Sequence, residues 1–576
     1  MTATALLPDA PPDSEARDRL AHRPLALLAQ LLDDQQDLSA VERFAQRCET
    51  ETGHSTARFY RDLLPAAPPK DGEQYAFEVD LDLCSGCKAC VTACHNLNGL
   101  DDGETFRDVG ILHGGVGDST VIQHVTTACH HCLEPACMQA CPVNAYEKDP
   151  LTGIVRHLDD QCFGCQYCTL ACPYDVPKYN RQKGIVRKCD MCSQRLAVGE
   201  PPACAQACPH QAIRIRTVSR QEVVQDCETN LFLPGAPEPQ HTLPTTNYKT
   251  RRPLPRNLLP ADYFSVQANH SHPALVVMLV LTQLSVGTFL VDYLLQEGGM
   301  TNSALAAANR PYQAGGALVA GIVALAASTL HLGRPQYAFR AVVGLSHSWL
   351  SREIVCFSAF ALLAAVYAVA SWQRSDLLEA SHSVQRWLGG AVVLAGLSGV
   401  ACSVMIYRST RRPCWTGPTT PLKFFLTTAV LGSAGSLLLA LVPAALTTDL
   451  TAATAIRPYA GLGVQALLLA AVAKLACEAL QFVHLGARNH TVLKRSAMLM
   501  IGPLRRWTIV RFALGLLGVA CLLALRELST SASETNGPWL GVAVLVGFTS
   551  LLAGELCERH LFFTASVAPR MPGGIV

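Results

Sequence analysis

The sequence predicts an α+β domain folded around metal-binding cysteines, followed by an all-α bundle of eight transmembrane helices. Three observations carry this reading. Sixteen of the 24 cysteines fall between Cys84 and Cys208, in four sets of four. The chain changes character near residue 272, from polar and cysteine-rich to mostly apolar over 273–558. The apolar part breaks into eight segments, each within the roughly 17–25 residues that a spanning helix needs.

The first set is Cys84, Cys87, Cys90 and Cys94, a C-x2-C-x2-C-x3-C run. The second is Cys129, Cys132, Cys137 and Cys141, the third Cys162, Cys165, Cys168 and Cys172, and the fourth Cys189, Cys192, Cys204 and Cys208. Pro142, Pro173 and Pro209 follow the last cysteine of sets two, three and four. Three close thiolates hold three irons of a cube, and the fourth cysteine usually ligates a neighbouring cluster. Four sets imply four [4Fe–4S] clusters in two ferredoxin-like pairs. Structural zinc prefers two C-x2-C knuckles, usually with a longer spacer between them, and fits these runs poorly. A disulfide framework fits worse, because no secretory signal is visible and the cysteines crowd together. Cys48, Cys227 and the six cysteines of the apolar part lack ligand spacing and read as non-ligands.

In chain order, residues 1–75 read as a helical or disordered extension, 76–235 as the four-cluster domain, 236–272 as a proline-rich linker, 273–558 as the membrane domain and 559–576 as a tail. Two short amphipathic helices are expected between Ser14 and Arg47, the second opened by a capping box of Ser39 and Glu42. This extension docks on a partner subunit or packs on its own domain. The alternation in 120–125 and 153–158 suits short strands. Lys178, Arg181, Lys183, Arg187 and Lys188 offset cluster charge, face a partner or form a solvated face. The net charge of +1 gives no reason to expect nucleic acid.

The spans are expected at 273–295, 312–331, 353–372, 386–407, 421–443, 460–484, 509–527 and 538–556. An even number puts the cluster domain and the tail on one side. Nineteen Lys and Arg flank the spans on that side, counting Lys423, Arg511 and Arg559, against five on the other. The positive-inside rule then places the cluster domain in the cytoplasm, at a multi-pass inner membrane protein, and the missing signal agrees.

The cysteine sets, STLHLGRPQYAFRA (328–341), SWLSREI (348–354) and GELCERHLFFTA (554–565) resemble two subunits of the dimethyl sulfoxide reductase family of molybdenum enzymes joined end to end. The first part looks like the electron-transfer subunit and the second like the membrane anchor. The resemblance implies a non-catalytic subunit that performs only the quinol half-reaction. Menaquinol or another quinol would be oxidised in the membrane, and electrons would cross four clusters to a separate molybdopterin-containing subunit. A cytoplasmic nitrate or S/N-oxide reductase would suit the predicted side. The family pattern groups Cys84, Cys87, Cys90 with Cys208; Cys189, Cys192, Cys204 with Cys94; Cys129, Cys132, Cys137 with Cys172; and Cys162, Cys165, Cys168 with Cys141. Where relatives have tryptophan in place of Cys165 one iron is lost, so Cys165 implies a full cluster. The third-set cluster would lie nearest the membrane and the first-set cluster nearest the catalytic partner. His331 and Glu353 match the family's quinol-site pair, with Arg334 and Arg352 expected to hold them. The alternative for the two is a capping histidine and a helix-end carboxylate.

His331, His347 and His484 lie near helix ends without obvious partners, so no haem is expected. Lys474 and Glu478, four apart inside the sixth span, read as an internal ion pair. A second functional reading is an ion-translocating respiratory subunit related to the polysulfide reductase anchor, with Lys474, Glu478 and Glu555 as transport groups.

Overall fold

The computed structural model describes residues 32, 39–50, 60–116, 119–255, 257–265, 267–297, 303–372, 381–446, 455–456, 461–530 and 537–573. It divides into two units, 1–62 and 63–576. In the first, a helix runs over Ala40–Thr50. The Glu42 amide donates to Ser39 Oγ at 3.2 Å, and the Ser39 amide to Glu42 Oε2 at 2.6 Å. This is the expected capping box, which meets two of the helix's unpaired amides. The earlier of the two expected helices falls, except for Leu32, outside the described residues.

The second unit opens with β1 (Glu73–Asp80), where alternate side chains are buried. It pairs antiparallel with β8 (Ile213–Ser219), Phe77 standing opposite Ile215, so the first and last strands of the cluster domain close on each other. A hairpin of β2 (Asp108–Val116) and β3 (Ser119–Thr127) contains the first expected strand segment. The small hairpins β4 (Tyr146–Lys148) with β5 (Val155–His157), and β6 (Lys178–Asn180) with β7 (Ile185–Arg187), separate the later cysteine sets.

The segment read as a linker does more than connect. Its β9 (Asn247–Lys249) adds in parallel to β1, and its β10 (Leu259–Pro260) pairs with β2. The tail returns to the same place. The Ile111 amide donates to the Gly573 carbonyl at 3.2 Å, and Arg570 pairs with Asp262. Both flanks of the membrane domain therefore meet the cluster domain.

Eight described helices are long and apolar enough to cross a membrane. They are Pro273–Glu297, Ser303–Thr329, Trp349–Trp372, Ser381–Ser409, Thr419–Leu446, Leu462–Ala479, Arg505–Thr530 and Gly537–Thr564. Spans one to four share one apolar core, and spans five to eight share another with span one. Span one crosses span five at Gly287 and Gly432, where a methyl on Gly287 would come within 2.0 Å of the Thr428 carbonyl. Helices in lipid gain by such close backbone packing, because no hydrophobic force drives them together there.

Candidate functional site

The cysteines of different sets meet in fours. One small cavity is lined by Cys84, Cys87, Cys90 and Cys208, a second by Cys129, Cys132, Cys137 and Cys172, and a third by Cys141, Cys162, Cys165 and Cys168. Cys94 lies within electrostatic reach of Cys204, Cys192 and Cys90, and Cys189 within reach of Cys129, Cys94 and Cys204. The same local turns recur around them. The residue before the second cysteine of each set has positive φ, whether glycine (Gly86, Gly164) or not (His131, Met191). After Cys141-Pro and Cys208-Pro, Asn144 and Gln211 also take positive φ. The next amides, of Ala145 and Ala212, thereby donate to the sulfurs of Cys141 and Cys208 at 3.2 Å each.

Two buried cations complete the setting. Arg107 lies between sets one and four, its Nη1 donating to Thr126 Oγ1 at 3.1 Å and its guanidinium 4.6 Å from the Phe77 ring centroid. Its Nε and Nη2 have no protein acceptor. Buried donors left this way suit a site that holds an anionic group. Lys188 sits between sets two and four, with Nζ 3.7 Å from Cys129 Sγ and bonded to the carbonyls of Val155 and Cys189. Burial opposes the charge on both, but Cys204 and Cys90 beside Arg107, and Cys129 and Cys137 beside Lys188, raise them above their ordinary values. Of the basic run, Lys188 is thus an inward-facing cation, whereas Lys178 pairs with Asp175 and Arg187 with Glu104. The donor set, the fourfold cavities and the unpaired Arg107 donors fit iron–sulfur clusters bound by thiolate.

The third cavity rests on the membrane domain. His331 Nε2–H donates to the Cys165 carbonyl at 3.2 Å, and His347 Nε2–H to the Cys141 carbonyl at 3.0 Å. Two histidines from the connector between spans two and three thus bracket one quartet. Ser348 Oγ donates to the Ala140 carbonyl at 2.7 Å, and Tyr167 OH to the Ile406 carbonyl at 3.1 Å. Backbones touch as well. A methyl on Gly333 would stand 2.0 Å from the Gly184 carbonyl, and one on Gly344 2.7 Å from that of Pro142.

Beside this seat is an open cavity of about 1070 Å³, lined by His270, His272, His331, Leu170, Arg412 and Trp415 among others. Burial, with His270 nearby, holds the His331 imidazole below its ordinary pKa. With Nε2–H tied to a carbonyl, Nδ1 is its free acceptor. Glu353 is placed differently. It is 4% exposed, does not line the cavity, and accepts a hydrogen bond from Ser403 of span four. Arg334 and Arg352 do not hold this pair as expected. Arg334 donates to the carbonyls of Lys183 and Asp159, and Arg352 to those of Leu345 and Ser346. Arg334 thus ties the connector to the cluster domain, and Arg352 fastens the turn before its own helix.

Residues 268–565 match the family described as DMSO reductase anchor subunit (DmsC). The chain belongs to this anchor family. Residues 120–218 match a 4Fe–4S dicluster domain. The cluster domain is 37% identical over 150 residues to the B subunit of the anaerobic dimethyl sulfoxide reductase of Haemophilus influenzae, 24% of this protein and 73% of that subunit. It is 36% identical over 184 residues to hydrogenase-2 operon protein HybA of Escherichia coli O157:H7, and 33% over 173 residues to the formate dehydrogenase-O iron–sulfur subunit of Escherichia coli strain K12. Each of these two matches covers 27% of this protein, which spans only 56% and 57% of those relatives. One polypeptide therefore joins an iron–sulfur electron-transfer part to a DmsC-type anchor, and the protein is a multi-pass membrane protein.

The anchor also encloses charge that the sequence suggested lay outside it. Lys423, Arg511 and Arg559, counted above as flanking loop and tail charges, are at most 5% exposed and lie inside spans five, seven and eight. Lys474 meets Glu478, Glu555 and Glu558 at 3.5, 3.2 and 3.5 Å. Arg511 grips Glu478 through two 2.7 Å bonds and Glu555 through a third. Lys423 lies 3.5 Å from Glu558, and Arg559 has its guanidinium 3.9 Å from the Phe424 ring centroid. The expected Lys474–Glu478 pair is one edge of a seven-residue network over four spans.

Proposed function

We propose that this chain oxidises membrane quinol at the junction cavity and delivers the electrons to a separate molybdopterin-containing reductase subunit. The observation that carries this reading is the shared wall. His331 lines a cavity at the ends of the spans, and its other face bonds the backbone of a cluster cysteine. The cavity accepts the quinol head, and His331 Nδ1 accepts a hydrogen bond from one hydroxyl. Glu353, one layer deeper, receives protons only through intervening groups. When bound, the clusters supply a series of one-electron carriers. The cysteines order them from the membrane outward as the Cys141, Cys129, Cys189 and Cys84 quartets, with Lys188 between the second and third. Cys87 of the last quartet is exposed, which supports docking of the catalytic subunit there. The names of the dimethyl sulfoxide reductase relatives support an S-oxide as the terminal substrate.

The excess of Lys and Arg at the cluster-domain end remains after the three buried cations are removed, and it supports a cytoplasmic cluster domain. The purified complex tests the reading. Quinol should bleach the brown cluster absorbance in the wild type, and His331→Ala should slow this by about a hundredfold, the scale of a lost proton-accepting group, with dithionite bleaching unchanged. An unaltered quinol rate refutes the site. Protease added to intact spheroplasts should spare the cluster domain.

The ion-translocating reading draws on the buried network. Its carboxylates and cations are mutually paired, which supports a clamp between helices.

A further inference from the structure

The cavity holds a second imidazole that the quinol reading leaves unused. The His272 ring lies edge-on to His331, with centroids 5.4 Å apart at 79°, and edge-on to Phe563 of span eight at 5.8 Å and 68°. On its other side the His270 ring stands 4.7 Å away. All three histidines line the same cavity. Exposure is graded along the row, His270 being exposed and His272 and His331 half-buried. Their ring nitrogens are engaged differently. His331 Nε2–H is tied to the Cys165 carbonyl. His270 Nδ1 accepts the His272 amide at 3.2 Å. Among the described residues, no protein group bonds either ring nitrogen of His272. An imidazole held by ring packing alone, with both nitrogens free, is poised for a ligand. The His272 backbone takes a φ of 46°, a conformation in which histidine is commoner than most side chains, and its carbonyl accepts the Val276 amide at 3.1 Å, but neither feature uses the ring nitrogens.

We propose that His272 is a second proton acceptor of the quinol pocket, taking a hydroxyl proton from bound quinol and releasing it to water in the open cavity. The proposal rests on the quinol reading and adds a residue to it. The step balances. Quinol loses two electrons and two protons and becomes quinone. One O–H bond breaks as an N–H bond forms on His272, the other breaks as an N–H bond forms on His331 Nδ1, and both imidazolium rings then pass their protons to water in the cavity. The electrons leave toward the Cys141 quartet.

The surroundings keep His272 neutral and make it a weak base, so it takes the proton as the electrons leave and the quinol hydroxyl becomes strongly acidic. Burial, then His331, His270 and Arg412, push its pKa down to about 3. The groups facing it are His270 from its own segment, His331 from the connector after span two and Arg412 after span four, with uncharged Phe563 from span eight. At neutral pH the ring is therefore unprotonated and holds a lone pair. Having accepted a proton it gives it up quickly, because the same neighbours disfavour the cation.

The test uses the membrane complex with its catalytic subunit and a short-chain quinol as donor. His272→Phe preserves the edge-on packing, and His272→Gln is a smaller polar control. Both should lower quinol-driven kcat by about a hundredfold, the lower end of the range for a lost proton acceptor, with the quinol KM changed less than twofold. Turnover driven by a reduced viologen dye, which bypasses the cavity, should be unchanged. The residual rate of His272→Phe should climb with pH as hydroxide replaces the imidazole. Free imidazole should restore part of the rate to His272→Ala. Quinol-driven rates within twofold of wild type in both the Phe and Gln variants, while His331→Ala remains slow, would overturn the role of His272 and leave the pocket standing. Full quinol-driven rates in all three would overturn the pocket itself.

Discussion

Arg107 shows how one buried side chain sets the charge around two cysteine quartets. Its charge lies against cysteines of two quartets, and its free N–H groups point into a protein interior without an acceptor. A cation there stabilises the more negative, reduced state of a cluster, so removing it lowers the potential. Arg107→Leu should cost the reduced state about 1.5–3 kcal/mol, the value of a charged hydrogen bond. Arg107→Lys should recover part of that. An electron paramagnetic resonance redox titration of the first and fourth quartets reads the shift. Such a residue is illegible in a sequence, since it follows no spacing and lies between two sets, just before a strand hairpin. The cysteines were legible because their spacing is itself the chemistry. The positive φ at His131 and Met191 was not. Glycine announces that conformation at Gly86 and Gly164, whereas the other two sets reach it with ordinary side chains held by burial and hydrogen bonds.

The connector between spans two and three matters as a shape. Gly333 lets its backbone meet the Gly184 turn after β6, and Arg334 ties it down on Lys183 and Asp159. Gly333→Ala should cost about 1–3 kcal/mol by overpacking. The loss should appear as a lower thermal midpoint in detergent and as faster tryptic cleavage near Lys183. The eight spans were readable from apolar length alone, and the capping box from two side chains three residues apart. The docking role of the connector was not, because the contact joins backbones far apart in the chain. For the same reason, Arg334 and Arg352 looked like partners of His331 and Glu353. Sequence neighbours at a helix end diverge once the chain turns into a 3₁₀ segment over Pro335–Gly344.

The buried network ties the second four spans to one another. Lys474 alone reaches three carboxylates, two of them on span eight. Lys474→Met would strand buried carboxylates and should destabilise the protein by about 3–5 kcal/mol. Pairing it with Glu555→Gln should cost less than the two single changes added together, because the partners are coupled. Chemical unfolding in detergent measures both. In proteoliposomes a clamp predicts unchanged coupling in whatever Lys474→Met protein folds, whereas lost proton movement with retained turnover would favour translocation. Five of the network's seven members, Lys423, Arg511, Glu555, Glu558 and Arg559, come from spans other than the sixth. Only Lys474 and Glu478 were legible as a pair, since they share one face of a single helix.

Composition and spacing were enough to establish that thiolate quartets precede a lipid-embedded helical base. Cluster ligation and apolar length are local demands, written in consecutive residues. Which cysteines share a cavity, which histidines bond the backbone of the Cys141 quartet, and which charges lie buried between helices depend on the folded chain. Each depends on groups brought together from distant segments, where burial removes water and makes every unpaired donor or charge costly.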